Sequence, residues 1–186
     1  MAKIFIFRHG QTFDNKTHTF SGFRQAELTQ DGVEEARRIG EKLKDEKVTK
    51  AYQSDLIRSQ HTLENVLNGW HKDVQIITDQ RIKERDYGDL TGKNKDEVEK
   101  ENPEQYKLWH RGYDVPPPGG ESIQMVEKRV YEFLNEVSPT WKPDDVIFIS
   151  ASANSIRPMR KYFEHMSNED ICRYEYEPAQ VFEYQI

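Results

Sequence analysis

Two short runs of unbroken apolar residues, Ile4-Phe5-Ile6-Phe7 and Val146-Ile147-Phe148-Ile149, constrain the fold of this chain more than any other feature. A strand with one wet face alternates apolar and polar residues, whereas a strand covered on both faces does not. Both runs therefore read as buried parallel strands, the second ending at Ser150. Parallel neighbours need crossover connections, and helical segments supply them. Thr29 caps a segment carrying Val33, Ala36, Ile39, Gly40 and Leu43 at helical spacing. Val48 to Gln53 reads as a strand. It is followed by a helix capped by Ser54 or Asp55, with Leu56, Leu63, Val66 and Leu67 on its apolar side. Val74 to Thr78 reads as a third strand. Ser122 opens an amphipathic helix through Ile123, Val126, Val130, Phe133, Leu134 and Val137. A further helix is expected from about Ser155 to His165, and a last strand over Val181 to Ile186. Strands alternating with helices define an α/β fold with a largely parallel sheet.

The middle of the chain has a different texture. Asp86 to Asn94 is turn-rich, and Asn94 with Glu97 fits a capping box. A polar helical stretch runs toward Arg111 and breaks at Pro103. Pro116-Pro117-Pro118-Gly119-Gly120 is a loop, because proline suits neither a helix interior nor a central strand. No repeat or low-complexity tract divides the 186 residues, so a single domain over 1–186 is expected.

Bulk properties narrow the function classes. The net charge is −6, which argues against a broad surface for nucleic acid or anionic membrane. Cys172 is the only cysteine, so no intrachain disulfide forms and a reducing, cytoplasmic setting is expected. The first apolar run stops at Arg8 and His9, too early for a signal peptide or a membrane span. His18, His61, His71, His110 and His165 show no zinc spacing, so no metal is expected. Gly88-Asp89-Leu90-Thr91-Gly92-Lys93 is one residue short of a phosphate-binding P-loop and lacks the following hydroxyl residue.

In open α/β folds, ligands sit beyond the carboxyl ends of strands. Here those ends carry Arg8-His9-Gly10, Ser54 to Arg58 and Ser150 to Arg157. Arginine offers a rigid fork of donors matched to phosphate oxygens, and a neutral imidazole can attack phosphorus. Gly10 would let the backbone pass close to a ligand. Arg58 falls in the first turn of a helix, where an anion is favoured. Glu84, in a run of charges, could act as acid or base if tuned. Taken singly, Arg58 and Glu84 read as ordinary surface charges, whereas Arg8-His9-Gly10 fits a reactive histidine and a satisfied strand-end histidine equally well.

Longer motifs add to this reading. Phe7-Arg8-His9-Gly10-Gln11-Thr12-Phe13-Asp14-Asn15 resembles the signature of the histidine phosphatase superfamily. Three other blocks resemble its cofactor-dependent phosphoglycerate mutases: Ser21 to Thr29, Glu84 to Lys95, and Trp109 to Pro118. The resemblance implies a three-layer αβα sandwich and an enzyme interconverting 3-phosphoglycerate and 2-phosphoglycerate, primed by 2,3-bisphosphoglycerate. It implies that His9 is the phosphorylated nucleophile, that Arg8 and Arg58 hold the phosphoryl oxygens beside Asn15, and that Glu84 exchanges the proton. Thr12, Ser21 and Gly22 would line the pocket. Tyr87, Lys95 and Arg111 would hold the distal anionic group, with a weaker or pH-dependent contact from His110 where relatives commonly carry arginine. The implied partner is a small phosphorylated substrate, and a homodimer is compatible with the family.

The chain departs from the family pattern at one catalytic position. Ser152 and Ala153 stand where a second catalytic histidine and a glycine are expected, while Asn154, Ser155 and Arg157 keep the pattern. A serine donates one hydrogen bond but carries no charge, so impaired transfer is expected at Ser152, with Ala153 and Asn154 beside the substrate. A segment between the triple proline and Gly119, and a tail beyond Ile186, are also shorter than in typical mutases. A more open pocket would favour water as acceptor. A phosphomonoesterase on the same site, and a phosphoglycerate-binding protein without catalysis, are the alternatives.

Overall fold

The computed structural model describes residues 1–69 and 74–186; His71 lies outside the described residues. A five-stranded sheet runs in the order β3-β2-β4-β1-β5. Its strands are β1 (Lys3–Arg8), β2 (Lys50–Gln53), β3 (Gln75–Thr78), β4 (Val146–Ala151) and β5 (Val181–Gln185). β1, β2, β3 and β4 are parallel, and β5 joins the edge antiparallel to β1. The two apolar runs lie side by side in the centre, Ile4 opposite Ile147 and Phe7 opposite Ser150.

Helices cover both faces, giving the three layers. On one face α2 (Gln30–Leu43) and α3 (Ile57–Leu67) pack on Phe5, Phe7, Ala51 and Phe148. On the other, α6 (Ile123–Val137) and α7 (Ala153–Glu164) pack on Ile4, Ile6, Ile147 and Ile149. Alternate residues of one strand thus feed two cores, which is why neither apolar run could alternate with polar residues. The remaining helices, α1 (Phe13–Lys16), α4 (Lys95–Glu101), α5 (Pro103–Arg111) and α8 (Asn168–Arg173), gather at the carboxyl end of the sheet or beside α7. Phe20, Tyr87, Leu90, Val98 and Tyr106 form a separate small core under α4 and α5.

Several local expectations need correction. The helix after β2 is not capped by Ser54 or Asp55. It begins at Ile57 with Leu56 at the cap, and the Gln25 side chain accepts the Ile57 N–H at 2.7 Å from across the fold. Asn94 Oδ1 accepts from both Asp96 and Glu97 N–H, so the cap is one-sided and no capping box closes there. α7 begins at Ala153, two residues before the expected start, which makes Ser152 its N-cap residue. β2 begins at Lys50, although Val48 is buried as its apolar character demands. No sequence signal was assigned to α8.

Candidate active site

The site forms where β1 and β4 end side by side. His9 N–H donates to the Ala151 carbonyl at 3.0 Å, extending the parallel pairing one residue past β1. The turn is then fixed from α3: Gly10 N–H donates to Thr62 Oγ1 at 3.0 Å, and that hydroxyl donates to the Arg58 carbonyl at 2.7 Å. Gly10 is not pressed against ligand space, contrary to expectation. A Cβ there would stand 2.1 Å from the Gly32 carbonyl oxygen, and one on Gly32 would stand 2.1 Å from that of Gln11. The two glycines let the turn after β1 and the start of α2 touch backbone to backbone.

His9 is buried, and its Nδ1 lies 2.8 Å from the Gly10 carbonyl. A carbonyl only accepts, so Nδ1 carries the proton and Nε2 keeps its lone pair. Burial, then the Arg58 and Arg8 guanidinium groups, hold the imidazole pKa well below the usual histidine value. The ring is therefore neutral and nucleophilic at physiological pH.

Arg58 is 1% exposed. Its Nη1 and Nη2 donate to the Arg24 and Gly22 carbonyls, both at 2.8 Å. Its Nε, and that of Arg8, are buried with no partner among the described residues. Burial lowers the Arg58 pKa, with Glu84 and Asp14 working to raise it. Asn15 is held by a capping box around α1: Thr12 Oγ1 accepts from Asn15 N–H at 3.1 Å, and Asn15 Oδ1 accepts from Thr12 N–H at 3.0 Å. Glu84 is 7% exposed, and its Oε1 accepts the Arg85 N–H at 2.7 Å. Arg129 of α6 clamps the segment carrying it, donating to the carbonyls of Arg81, Lys83 and Glu84 and to both carboxylate oxygens of Glu121.

These side chains meet in a cavity of about 150 Å³. Arg8, His9, Asn15, Ser21, Arg58 and Glu84 lie along it, as do Tyr87, Lys95, His110, Arg111, Ala153 and Asn154. Three residues expected there are not in its lining. Thr12 is fully buried and acts through Asn15. Gly22 contributes its carbonyl to Arg58. Ser152 is fully buried, and its Oγ has no partner among the described residues. Four lining residues carried no assigned role in the sequence: Thr19, Arg157, Glu175 and Tyr176. Arg157 belonged to the Ser150 to Arg157 motif, but Glu175 and Tyr176 sit in a segment with no recognisable pattern. Arg111 Nη2 donates to Glu175 Oε1 at 2.5 Å. His110 is not a pH-dependent cation near neutrality. Burial, then Arg111 and Lys95, push its pKa down to about 3.

Among the described residues, five basic side chains (Arg8, Arg58, Lys95, Arg111, Arg157) face two carboxylates (Glu84, Glu175) around this cavity. That excess suits a ligand with several negative charges. No group of three or more His, Cys, Asp or Glu that could hold a metal occurs among the described residues. None of their helices is long and apolar enough to cross a membrane.

The family model of the histidine phosphatase superfamily (branch 1) matches residues 4–186. The chain belongs to this superfamily. Histidine phosphatases are enzymes, and relatives in sequence narrow the branch. A 2,3-bisphosphoglycerate-dependent phosphoglycerate mutase of Parvibaculum lavamentivorans is 39% identical over 173 residues, 90% of this chain and 82% of that one. Another, from Mesorhizobium japonicum, is 37% identical over 177 residues, 92% of this chain and 86% of that one. In fold, the superfamily member here is similar to Bacillus stearothermophilus YhfR, with a TM-score of 0.88 at 23% identity, covering 98% of this chain and 90% of that one. It is also similar to a mycobacterial glucosyl-3-phosphoglycerate phosphatase solved with VO3 (TM-score 0.84, 22% identity, 97% and 90% covered).

Proposed function

We propose that this chain is a phosphoglycerate mutase that interconverts 3-phosphoglycerate and 2-phosphoglycerate through a phosphohistidine at His9. The observation that carries the reading is a neutral His9, its proton held at Nδ1 by Gly10, in a cavity rimmed by five basic side chains. Sequence relatives named as phosphoglycerate mutases support the choice of substrate. The donor set fits a bisphosphorylated glycerate: Arg8 and Arg58 each keep a buried Nε without a protein acceptor, and Lys95 and Arg111 add two more cations to the same cavity. When bound, 2,3-bisphosphoglycerate supplies the phosphoryl group that His9 holds before turnover.

The chain's own residues do the rest. His9 Nε2 takes the phosphoryl group while Nδ1 keeps its proton on the Gly10 carbonyl. Arg8 and Arg58 neutralise the charge spread over the phosphoryl oxygens, where most of the catalysis of such transfers lies. Glu84, clamped by Arg129, gives a proton to the leaving oxygen and takes it from the incoming hydroxyl. Lys95 and Arg111 orient the substrate by its carboxylate, with His110 as a neutral hydrogen-bonding ring.

A second reading, phosphomonoester hydrolysis at the same His9, is favoured by a second chamber of about 160 Å³. It shares Arg8, His9, Asn15 and Tyr176 with the first, so water held there would lie beside the histidine. A phosphorus NMR time course with 3-phosphoglycerate and catalytic 2,3-bisphosphoglycerate separates the two. Accumulating 2-phosphoglycerate upholds the mutase; inorganic phosphate alone replaces it with the hydrolase. Neither product, together with no phosphoryl adduct on His9 by mass spectrometry, leaves a phosphoglycerate-binding protein.

A further inference from the structure

Tyr176 forms part of the wall of both chambers that meet at Arg8, His9 and Asn15. Its hydroxyl oxygen is buried and has no hydrogen-bond partner among the described residues. The ring itself is held firmly. Tyr174 packs against it at 5.1 Å between centroids and Phe182 at 6.0 Å, both edge-on, and the Arg157 guanidinium carbon lies 5.4 Å from its centre. A fixed ring with an unused hydroxyl is a donor placed before its acceptor arrives.

The surroundings identify that acceptor. Arg8 and Arg157, with Arg58, Lys95 and Arg111, outnumber the Glu84 and Glu175 carboxylates in the cavity that Tyr176 lines, and guanidinium groups donate hydrogen bonds but never accept them. A site furnished with donors is satisfied by an anion bearing several oxygens. Burial raises the Tyr176 pKa, against the pull of Arg157, Arg160 and Arg8, so the phenol keeps the proton it must donate. Ser152, the nearby α7 cap, is fully buried and outside the cavity lining, so its hydroxyl does not fill this role from where it stands.

We propose that the Tyr176 hydroxyl donates a hydrogen bond to an oxygen of the phosphoryl group carried to and from His9. Tyr176 is then a catalytic residue of this site, drawn from a segment outside the recognisable motifs. The inference rests on the phosphohistidine reading above, and no bond is made or broken at Tyr176.

The test is Tyr176→Phe, which keeps the ring and its packing. Two quantities are measured: the rate of His9 phosphorylation by 2,3-bisphosphoglycerate in rapid quench, and the Kd of orthovanadate, which adopts the five-coordinate geometry of a phosphoryl group in flight. The rate is expected to fall by about 10- to 100-fold, the cost of losing one donor to developing charge. KM for the bisphosphate should move less than about threefold, and vanadate should weaken in step with the rate. A residue that merely supports the wall would instead shift KM and the melting temperature. An unchanged rate and an unchanged vanadate Kd overturn the role of Tyr176 and leave the transfer reading standing. If the wild-type protein takes no phosphoryl group, the transfer reading fails, and vanadate affinity alone decides for or against Tyr176 as the anion's donor.

Discussion

The two ends of the cavity are built differently. Around His9, the histidine and Arg58 are buried, and the His9 Nδ1 and the two Arg58 Nη atoms are fixed by main-chain carbonyls of Gly10, Arg24 and Gly22. At the distal end, Arg111 is about one-third exposed and holds Glu175, which is three-quarters exposed, in an ion pair. Backbone partners cannot rotate away, so the first end is preorganised before substrate enters. The second depends on long side chains that ligand can re-pair. On the proposed mechanism, the contrast predicts that rate depends on His9 and Arg58 and affinity on Arg111.

Substitutions should separate those assignments. Arg58→Gln strikes the fixed end and should lower kcat by roughly 10²–10³ with a smaller change in KM. A loss confined to KM in steady-state kinetics would erase the contrast. Ser152→His comes next. An imidazole at the α7 cap should add an electrostatic donor beside the phosphoryl group and raise transfer by at least about tenfold; no gain in an intact fold would show that the serine is no handicap. Glu175→Gln touches the adjustable end. It frees Arg111 of a competitor worth little in itself, because exposed ion pairs contribute about 1 kcal/mol or less. By calorimetry, 3-phosphoglycerate should bind more tightly by up to about fivefold, with kcat unmoved.

A separate effect concerns pH and stability. His110 has a folded pKa of about 3 against an ordinary value of 6.5. The unfolded chain therefore binds a proton that the folded chain refuses, and stability falls as pH drops from 6.5 toward about 3. His9, also depressed, adds in the same direction. His110→Phe should make the urea-derived stability profile shallower by one proton over that window. An unaltered slope would mean that the distal histidine is protonated in the native state.

The sheet was legible because both central strands must bury two faces, which leaves Ile4 to Phe7 and Val146 to Ile149 no room for polar residues. The clustering of Arg8, His9 and Arg58 around one cavity was legible as well, since they fall at or just after strand ends inside recognisable motifs. What escaped reading depends on contacts across the fold. Gln25 replaces a local cap at Ile57, and Arg129 holds the Glu84 segment from a helix 45 residues away in sequence. Glu175 and Tyr176 carry no pattern, and only the return of the chain past α8 brings them to His9. Ser152 shows the limit from the other side: its place in the motif was readable, but its absence from the cavity lining was not.

The meeting of Gly10 and Gly32 gives the molecule an uneven map of mutational tolerance. Gly32 lines neither chamber at His9, and away from a site a methyl group is usually harmless. Here any side chain would press on the main chain of the turn that carries His9. Drift in the sequence of α2 is therefore free on its exposed face, limited by packing at Ala36, Ile39 and Leu43, and forbidden at Gly32 in its first turn. A scan for loss of activity would mark that position as though it belonged to the reaction, although it never meets the substrate.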